Sequence, residues 1–364
     1  MAFSLNNLNS LISVALQNNA SDIHIRSGEP PCLRIRGELV PVKSNKNIEF
    51  EDVKDICNII FPQHELEHFD HIKDLDFVYE IPELCRIRYN FFRYSNKIGL
   101  ILRLVPMNVP EIDDLNLSPI LKSIVTKKRG LILVTGATGS GKSTTLAALI
   151  NQINETETRH IVTIEDPIEF LHPQKKSRIT QREIGTDTED FTSALRAAMR
   201  QDPDVILIGE LRDAESISTA LKASETGHLV FATVHTTDAI ATIGRILSMF
   251  PPEELIDVRK RLADSLFATI SQRMVKSTKV KRGVVIAQEI MVTNPGVKEC
   301  IRGEEPMDRI IQIIEKGGTN ELGVKCQSFD QNIMELYKKG LITKAEAEKS
   351  VRSKSDFVQK LMIE

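Results

Sequence analysis

The sequence predicts an α/β fold: a mainly parallel sheet covered on both faces by helices, preceded by a smaller α+β domain. Three observations carry this. From Leu121 onward, short apolar runs (131–135, 160–164, 204–208 and 229–234) alternate with helical stretches (142–154, 190–200 and 214–226). Strands buried on both faces read as such runs. Second, Gly136-Ala137-Thr138-Gly139-Ser140-Gly141-Lys142-Ser143 stands directly between the first run and the first helix. Third, the segments before Val105 alternate apolar and polar residues and are joined by tight turns, the mark of an antiparallel sheet.

Residues 1–105 open with an amphipathic helix built on Leu5, Leu8, Leu11, Ile12, Ala15 and Leu16. Strands are expected at 21–26, 33–36 and 39–42, the last two joined by a turn at Gly37-Glu38. A helix near 50–60 precedes strands at 85–94 and 99–105, with Ser95-Asn96-Lys97 as the hairpin turn. Prolines at 106, 110 and 119 bound a polar, acidic stretch, so residues 106–120 are expected as a linker. The larger domain then covers 121–364, with a helical, charged region from about 253 to the end.

Composition narrows the function. A length of 364 residues fits two domains, and 47 basic against 50 acidic residues leave a net charge of −3. That balance excludes a strongly basic coat for nucleic acid. The absence of tryptophan and an aromatic content of 5% argue against a platform for stacking bases. No run approaches 18 apolar residues and the N-terminus has no basic leader, so neither a transmembrane segment nor a secretory signal is expected. The five cysteines form no CxxC pair, which speaks against a zinc site or a disulfide framework and fits a reducing cytosol.

The glycine-rich run at 136–143 matches GxxxxGK[ST] in the strand–loop–helix context the motif requires. Glycines there let successive backbone N–H groups turn around phosphate oxygens, and the following helix N-terminus adds favourable partial charge. Gly136, Ala137, Thr138, Gly139, Ser140, Gly141, Lys142, Ser143 and Thr144 are thus the candidate nucleotide-binding residues. Lys142 would reach the β- and γ-phosphates of ATP, and the Ser143 hydroxyl would ligate Mg²⁺. The run 204–208 ends in Gly209-Glu210, at the strand edge where open α/β sheets bind ligands, so Glu210 is the candidate to organise the metal shell, through water. The run 160–164 ends in Glu165-Asp166-Pro167, and Glu165 is the candidate to orient the attacking water. One of Glu165 and Asp166 has the alternative of capping the turn before Pro167.

His228 and His235 bracket the run 229–234. His235, at the phosphate end, is the candidate sensor of the γ-phosphate. His228, at the other end, reads as a structural or interface residue. The basic stretch 273–282 reads as a solvated loop.

Four runs together are family-specific. Residues 136–145, 164–170, 193–203 and 227–237 resemble the Walker A, Asp box, Walker B and His box motifs of the secretion-superfamily ATPases. In particular the sequence resembles the PilT branch, the type IV pilus retraction (twitching motility) ATPases. The resemblance reaches Ala20-Ser21-Asp22-Ile23-His24-Ile25 and Arg34-Ile35-Arg36-Gly37-Glu38, so it covers nearly the whole chain. It implies a PAS-like N-terminal domain, a RecA-like P-loop ATPase domain and a homohexameric ring. It also implies a cytoplasmic motor at the inner face of the inner membrane, at the pilus base. There its partners would be an inner-membrane platform protein and a pilus-assembly ATPase or a retraction paralogue.

N-terminal arginines that approach the phosphates are a further implication, and Arg88, Arg103 and Arg86 occupy the matching positions. Arg196 and Arg200 match family arginines too, with a helix or subunit-interface salt bridge as the alternative reading. Two features favour retraction over assembly or secretion: the P-loop begins at residue 136, leaving no room for an extra N-terminal domain, and the four-cysteine zinc motif is missing. One departure leaves open an accessory retraction paralogue or altered coupling to the machine. After Asn294-Pro295 the retraction branch carries Ala-Ile-Arg-Asn-Leu-Ile-Arg-Glu, of which this chain keeps Ile301 and Arg302.

Overall fold

The computed structural model describes residues 3–363 apart from 19, 36, 44, 45, 82, 83, 107, 108 and 281. Arg36 of the second N-terminal motif, Met107 and Asn108 of the expected linker, and Lys281 of the basic stretch lie outside the described residues. The chain divides into two compact units, 1–108 and 109–364.

The first unit is a six-stranded sheet made of β1 (Ala20–Arg26), β2 (Cys32–Ile35), β3 (Glu38–Pro41), β4 (Asp74–Ile81), β5 (Cys85–Tyr94) and β6 (Lys97–Pro106). The order is β3-β2-β1-β6-β5-β4 and every pairing is antiparallel. Ser95 and Asn96 both take positive φ, 45° and 60°, as the two-residue turn between β5 and β6 requires. Alternation decides the faces of the sheet. Ile87, Tyr89 and Phe91 are buried with Leu8, Ile12, Val53 and Ile56 of the helices Leu5–Gln17 and Phe50–Ile60. Arg86 and Arg88 therefore stand on the other face, with Arg88 opposite Arg103 in register. The edge strand β4, rich in acidic residues, lacked the pattern that would have announced it.

In the second unit β7 (Gly130–Thr135), β8 (His160–Glu165), β9 (Arg178–Glu183), β10 (Val205–Ile208), β11 (Leu229–Val234), β12 (Leu266–Lys276) and β13 (Val284–Val292) form one sheet. Its order is β13-β12-β7-β11-β10-β8-β9, parallel throughout except for the β12–β13 hairpin. β7, β10 and β11 are buried along their whole length, as expected of strands covered on both faces. Helices Phe191–Ala198, Ala214–Glu225 and Ala239–Leu247 each start at an aspartate, Asp190, Asp213 and Asp238, whose carboxylate accepts a backbone N–H of the first turn.

Three expectations need correction. The region from 253 is not wholly helical, since β12 and β13 lie in it. Their interior carries Ser271, Gln272, Gln288 and Glu289, buried polar residues that erase the apolar signature of a strand. The sheet accommodates them by pairing: Thr135 donates to Ser271 Oγ at 3.0 Å, and Gln272 Nε2 donates to Thr145 Oγ1 at 2.7 Å. Residues 106–120 are not a free linker either. Ile112, Leu115 and Leu117 are buried in the core of the second unit, and the Ser118 N–H donates to Gln288 Oε1 at 2.9 Å. Finally, the basic stretch is not all solvated loop, because Arg273 to Lys276 belong to β12.

Arg273 shows why. Its guanidinium lies 4.1 Å from the centre of the Phe329 ring and donates to the Ser350 carbonyl at 2.6 Å. It ties the hairpin to the helices that close the chain. Arg273→Ala should cost roughly 2 kcal/mol from the lost ring contact and hydrogen bond. The expected result is a fall of about 4–8 °C in the unfolding midpoint, with earlier proteolytic release of the C-terminal helices.

Candidate active site

A cavity of about 410 Å³ opens in the second unit at the C-terminal ends of β8, β10 and β11, beside the loop that follows β7. Lys142, Ser143, Glu165, Glu210 and His235 all line it, so the candidates drawn from four separate stretches of sequence converge. This is the edge where parallel sheets place their ligands.

Glycine is required at the start of the loop. Gly136 has φ 146°, and a Cβ there would lie 2.4 Å from Ser140 Oγ and 2.6 Å from the Gln272 carbonyl oxygen. Gly141 (φ 89°) turns the chain into the helix Lys142–Thr156. The buried Lys142 Nζ donates to the carbonyls of Gly136 and Ala137 at 2.9 and 3.0 Å. Burial lowers its pKa, while the charges of Glu210 and Glu169 oppose that shift. Backbone carbonyls thus hold the ammonium at the mouth of the loop, where an anion would complete its neutralisation.

Glu165 closes β8. Its Oε1 accepts from Thr163 Oγ1 at 2.7 Å and from Gln181 Nε2 at 3.2 Å. Burial nevertheless raises its pKa, and the nearby Glu169 charge acts in the same direction. A carboxylate held in this way is a better proton acceptor than a solvated one. Glu165 and Asp166 differ in exposure. Glu165 is half-buried and braced, while Asp166 is exposed, joined to Pro167 by a cis peptide bond and 3.8 Å from Arg212.

Glu210 follows β10 and is shared by two partners. Arg212 Nε donates to its Oε2 at 2.8 Å, and His235 Nε2 lies 3.4 Å from its Oε1. The link puts the histidine after β11 in direct contact with the acid after β10. Arg212 lines the cavity, and its bond to Glu210 raises its pKa. Sequence reasoning missed this residue; its one signal was its place two positions after Glu210. Ser143 and Glu210 offer a hydroxyl and a carboxylate in one cavity, a sparse, hard oxygen set that suits Mg²⁺, an ion that keeps waters and phosphate oxygens as its other ligands.

The remaining candidates stand elsewhere. His228 Nδ1 bonds the Ala223 carbonyl at 2.9 Å at the opposite end of β11, where it anchors the preceding turn. Arg196 is paired with Glu215, and Arg200 donates to the Arg196 carbonyl at 3.1 Å; neither lines the cavity. Arg86, Arg88 and Arg103 belong to the first unit, where Arg103 Nε donates to Asp22 Oδ1 at 3.0 Å.

Comparison with known proteins shows the family. The profile of the family described as type II/IV secretion system protein matches residues 2–355. A type IV pilus retraction ATPase, PilT of Pseudomonas aeruginosa, is 40% identical over 95% of this chain and 98% of its own. A second protein of the same organism, the type IV pilus ATPase PilU, is 34% identical over 97% of this chain and 90% of its own. The crystal structure of the pilus retraction motor PilT with bound ADP superimposes with a TM-score of 0.84, at 38% identity over 96% of this chain and 98% of that one.

The raised pKa of Glu165 has a consequence for stability. A carboxyl with a higher pKa in the folded than in the unfolded state makes the fold bind protons more tightly. The contribution of this group to stability is then fully present below its unfolded-state pKa and is lost as pH rises through the folded-state value. Glu165→Gln should therefore raise the unfolding midpoint at about pH 8 and leave it nearly unchanged at about pH 4, below the ordinary carboxylate value, as read by calorimetry at both pH values.

Proposed function

Since the chain belongs to the family of type II/IV secretion system proteins and is one of its ATPases, we propose that it is a motor that powers retraction of type IV pili. The observation that carries the catalytic part is the convergence of Lys142, Glu165, Glu210 and His235 on one cavity. ATP would set its β- and γ-phosphates in the loop 136–144, against the Lys142 ammonium. Ser143 and Glu210 would hold Mg²⁺, Glu210 through water, and the ion would neutralise charge on the phosphate oxygens. Glu165 would orient the attacking water. His235, touching Glu210, would report whether the γ-phosphate is present.

The first unit has a role in the same reading. Arg88 and Arg103, with Arg86 beside them, stand on the sheet face turned from the core, and Arg88 and Arg103 meet in register. Arginine grips phosphate in a planar fork and keeps its charge, so these residues suit phosphate capture from a neighbouring domain. Changes in that grip through the hydrolysis cycle would move one unit against the other. We place the motor as a homohexamer on the cytoplasmic face of the inner membrane at the pilus base, working on a platform protein there. No helix among the described residues is long and apolar enough to cross a membrane, which fits peripheral attachment.

A second reading, an accessory retraction motor acting beside another, is favoured by the helix Pro295–Arg302. Of the retraction motif that the sequence resemblance places there, Ile301 and Arg302 remain.

Two measurements test the proposal. Glu165→Ala and Glu210→Ala should each lower ATP turnover by about 10²-fold or more while ATP still binds. Undiminished turnover in both would overturn the assignment, and near-zero turnover by the unaltered protein would make it a nucleotide-gated scaffold. Deleting the gene should leave cells with excess, non-retracting pili; bald cells would mean assembly instead.

A further inference from the structure

We infer that Gln181, on β9, is a positioning residue for Glu165 that fixes which carboxylate oxygen faces the attacking water. This rests on the reading of Glu165 as the group that orients that water. Gln181 stands opposite Thr163 in the β8–β9 register. Its amide makes three bonds. Nε2 donates to Glu165 Oε1 at 3.2 Å and to the Phe170 carbonyl at 2.9 Å, and Oε1 accepts the His172 N–H at 2.9 Å. These partners dictate the orientation of the amide. Turned over, it would set its NH₂ against the His172 N–H and its oxygen against two acceptors.

Thr163 Oγ1 donates to the same Glu165 oxygen at 2.7 Å. Both lone pairs of Oε1 are thereby committed to fixed donors, one on β8 and one on β9. The Glu169 backbone N–H also bonds this carboxylate, and Oε2 keeps a lone pair able to take a proton. As the water oxygen bonds to the γ-phosphorus, its proton passes to Oε2, and the pair of the broken P–O bond leaves on ADP. Gln181 also fastens the segment 170–172, where the Asp box ends, and Glu183, two residues on, accepts the Ile168 N–H at 3.0 Å. Strand β9 thus braces both the carboxylate and the loop that walls the cavity. Positioning of this kind matters because a shift of about 1 Å in a reacting group costs on the order of 10²-fold in rate.

Gln181→Glu separates positioning from mere support. The variant has the same shape and, when ionised, still accepts the His172 N–H while donating nothing to Glu165; Gln181→Met removes the donor even where a proton shared between the two carboxyls would restore that bond. Steady-state ATP turnover, KM for ATP and unfolding midpoint are measured for the full chain with Gln181→Glu, Gln181→Met and Glu165→Gln. The expected result for both Gln181 variants is a kcat lowered about 10²-fold with KM within about two-fold. If one of them fails to fold, the other decides. Wild-type kcat in a folded Gln181 variant, or a rise in KM at unchanged kcat, would overturn the inference. Wild-type kcat in Glu165→Gln would instead overturn the underlying reading of Glu165, so the two failures are distinguishable.

Discussion

A buried ammonium at the mouth of a glycine loop is the constraint on which the rest of the site depends. Lys142 is largely withdrawn from water and is held by the carbonyls of Gly136 and Ala137. Carbonyl dipoles offset only part of the cost of burying a charge, so an anion of matching size has much to gain by binding there. The loop holds this geometry because Gly136 takes a backbone conformation and a closeness to Ser140 and Gln272 that no side chain would allow. The Gln272 side chain on β12 in turn bonds Thr145 in the helix that begins at Lys142. The phosphate cradle is therefore tied into the sheet from both sides.

Around that cation stand two carboxylates with different surroundings. Glu210 is paired with Arg212 and touched by His235, so cationic or polar partners hold both of its oxygens. Glu165 has only neutral donors, and burial raises its proton affinity. The arrangement costs stability at Glu165, and β9 supplies the bracing that keeps this carboxylate in place.

Much of this was legible in the sequence. The P-loop, Glu165, Glu210 and His235 could be found because each ends or follows an apolar strand, and strand ends are where such sheets act. The β5–β6 hairpin was visible in Ser95-Asn96, and the arginine face in the alternation of Arg86 and Arg88 with Ile87 and Tyr89. What escaped were elements whose role is polar. β9 reads Arg-Ile-Thr-Gln-Arg-Glu, with no apolar run, because Gln181 and Glu183 are spent on bracing. β12 and β13 bury serine, glutamine and glutamate in hydrogen bonds to Thr135, Thr145, Ser118 and Ala239, which pattern reading takes for exposed sequence. Arg212 had no periodic signal at all. Its place is set by a contact with Glu210 that only the bend after β10 creates.

The central claim is that Lys142 is a cation awaiting phosphate. Titration calorimetry of Mg²⁺-ATP into the protein and into Lys142→Ala tests it most directly. The account expects a loss of affinity of about 10²-fold or more, the scale of losing a buried charge-assisted contact, in a variant whose circular dichroism is unchanged. Equal affinity in the two proteins would contradict it.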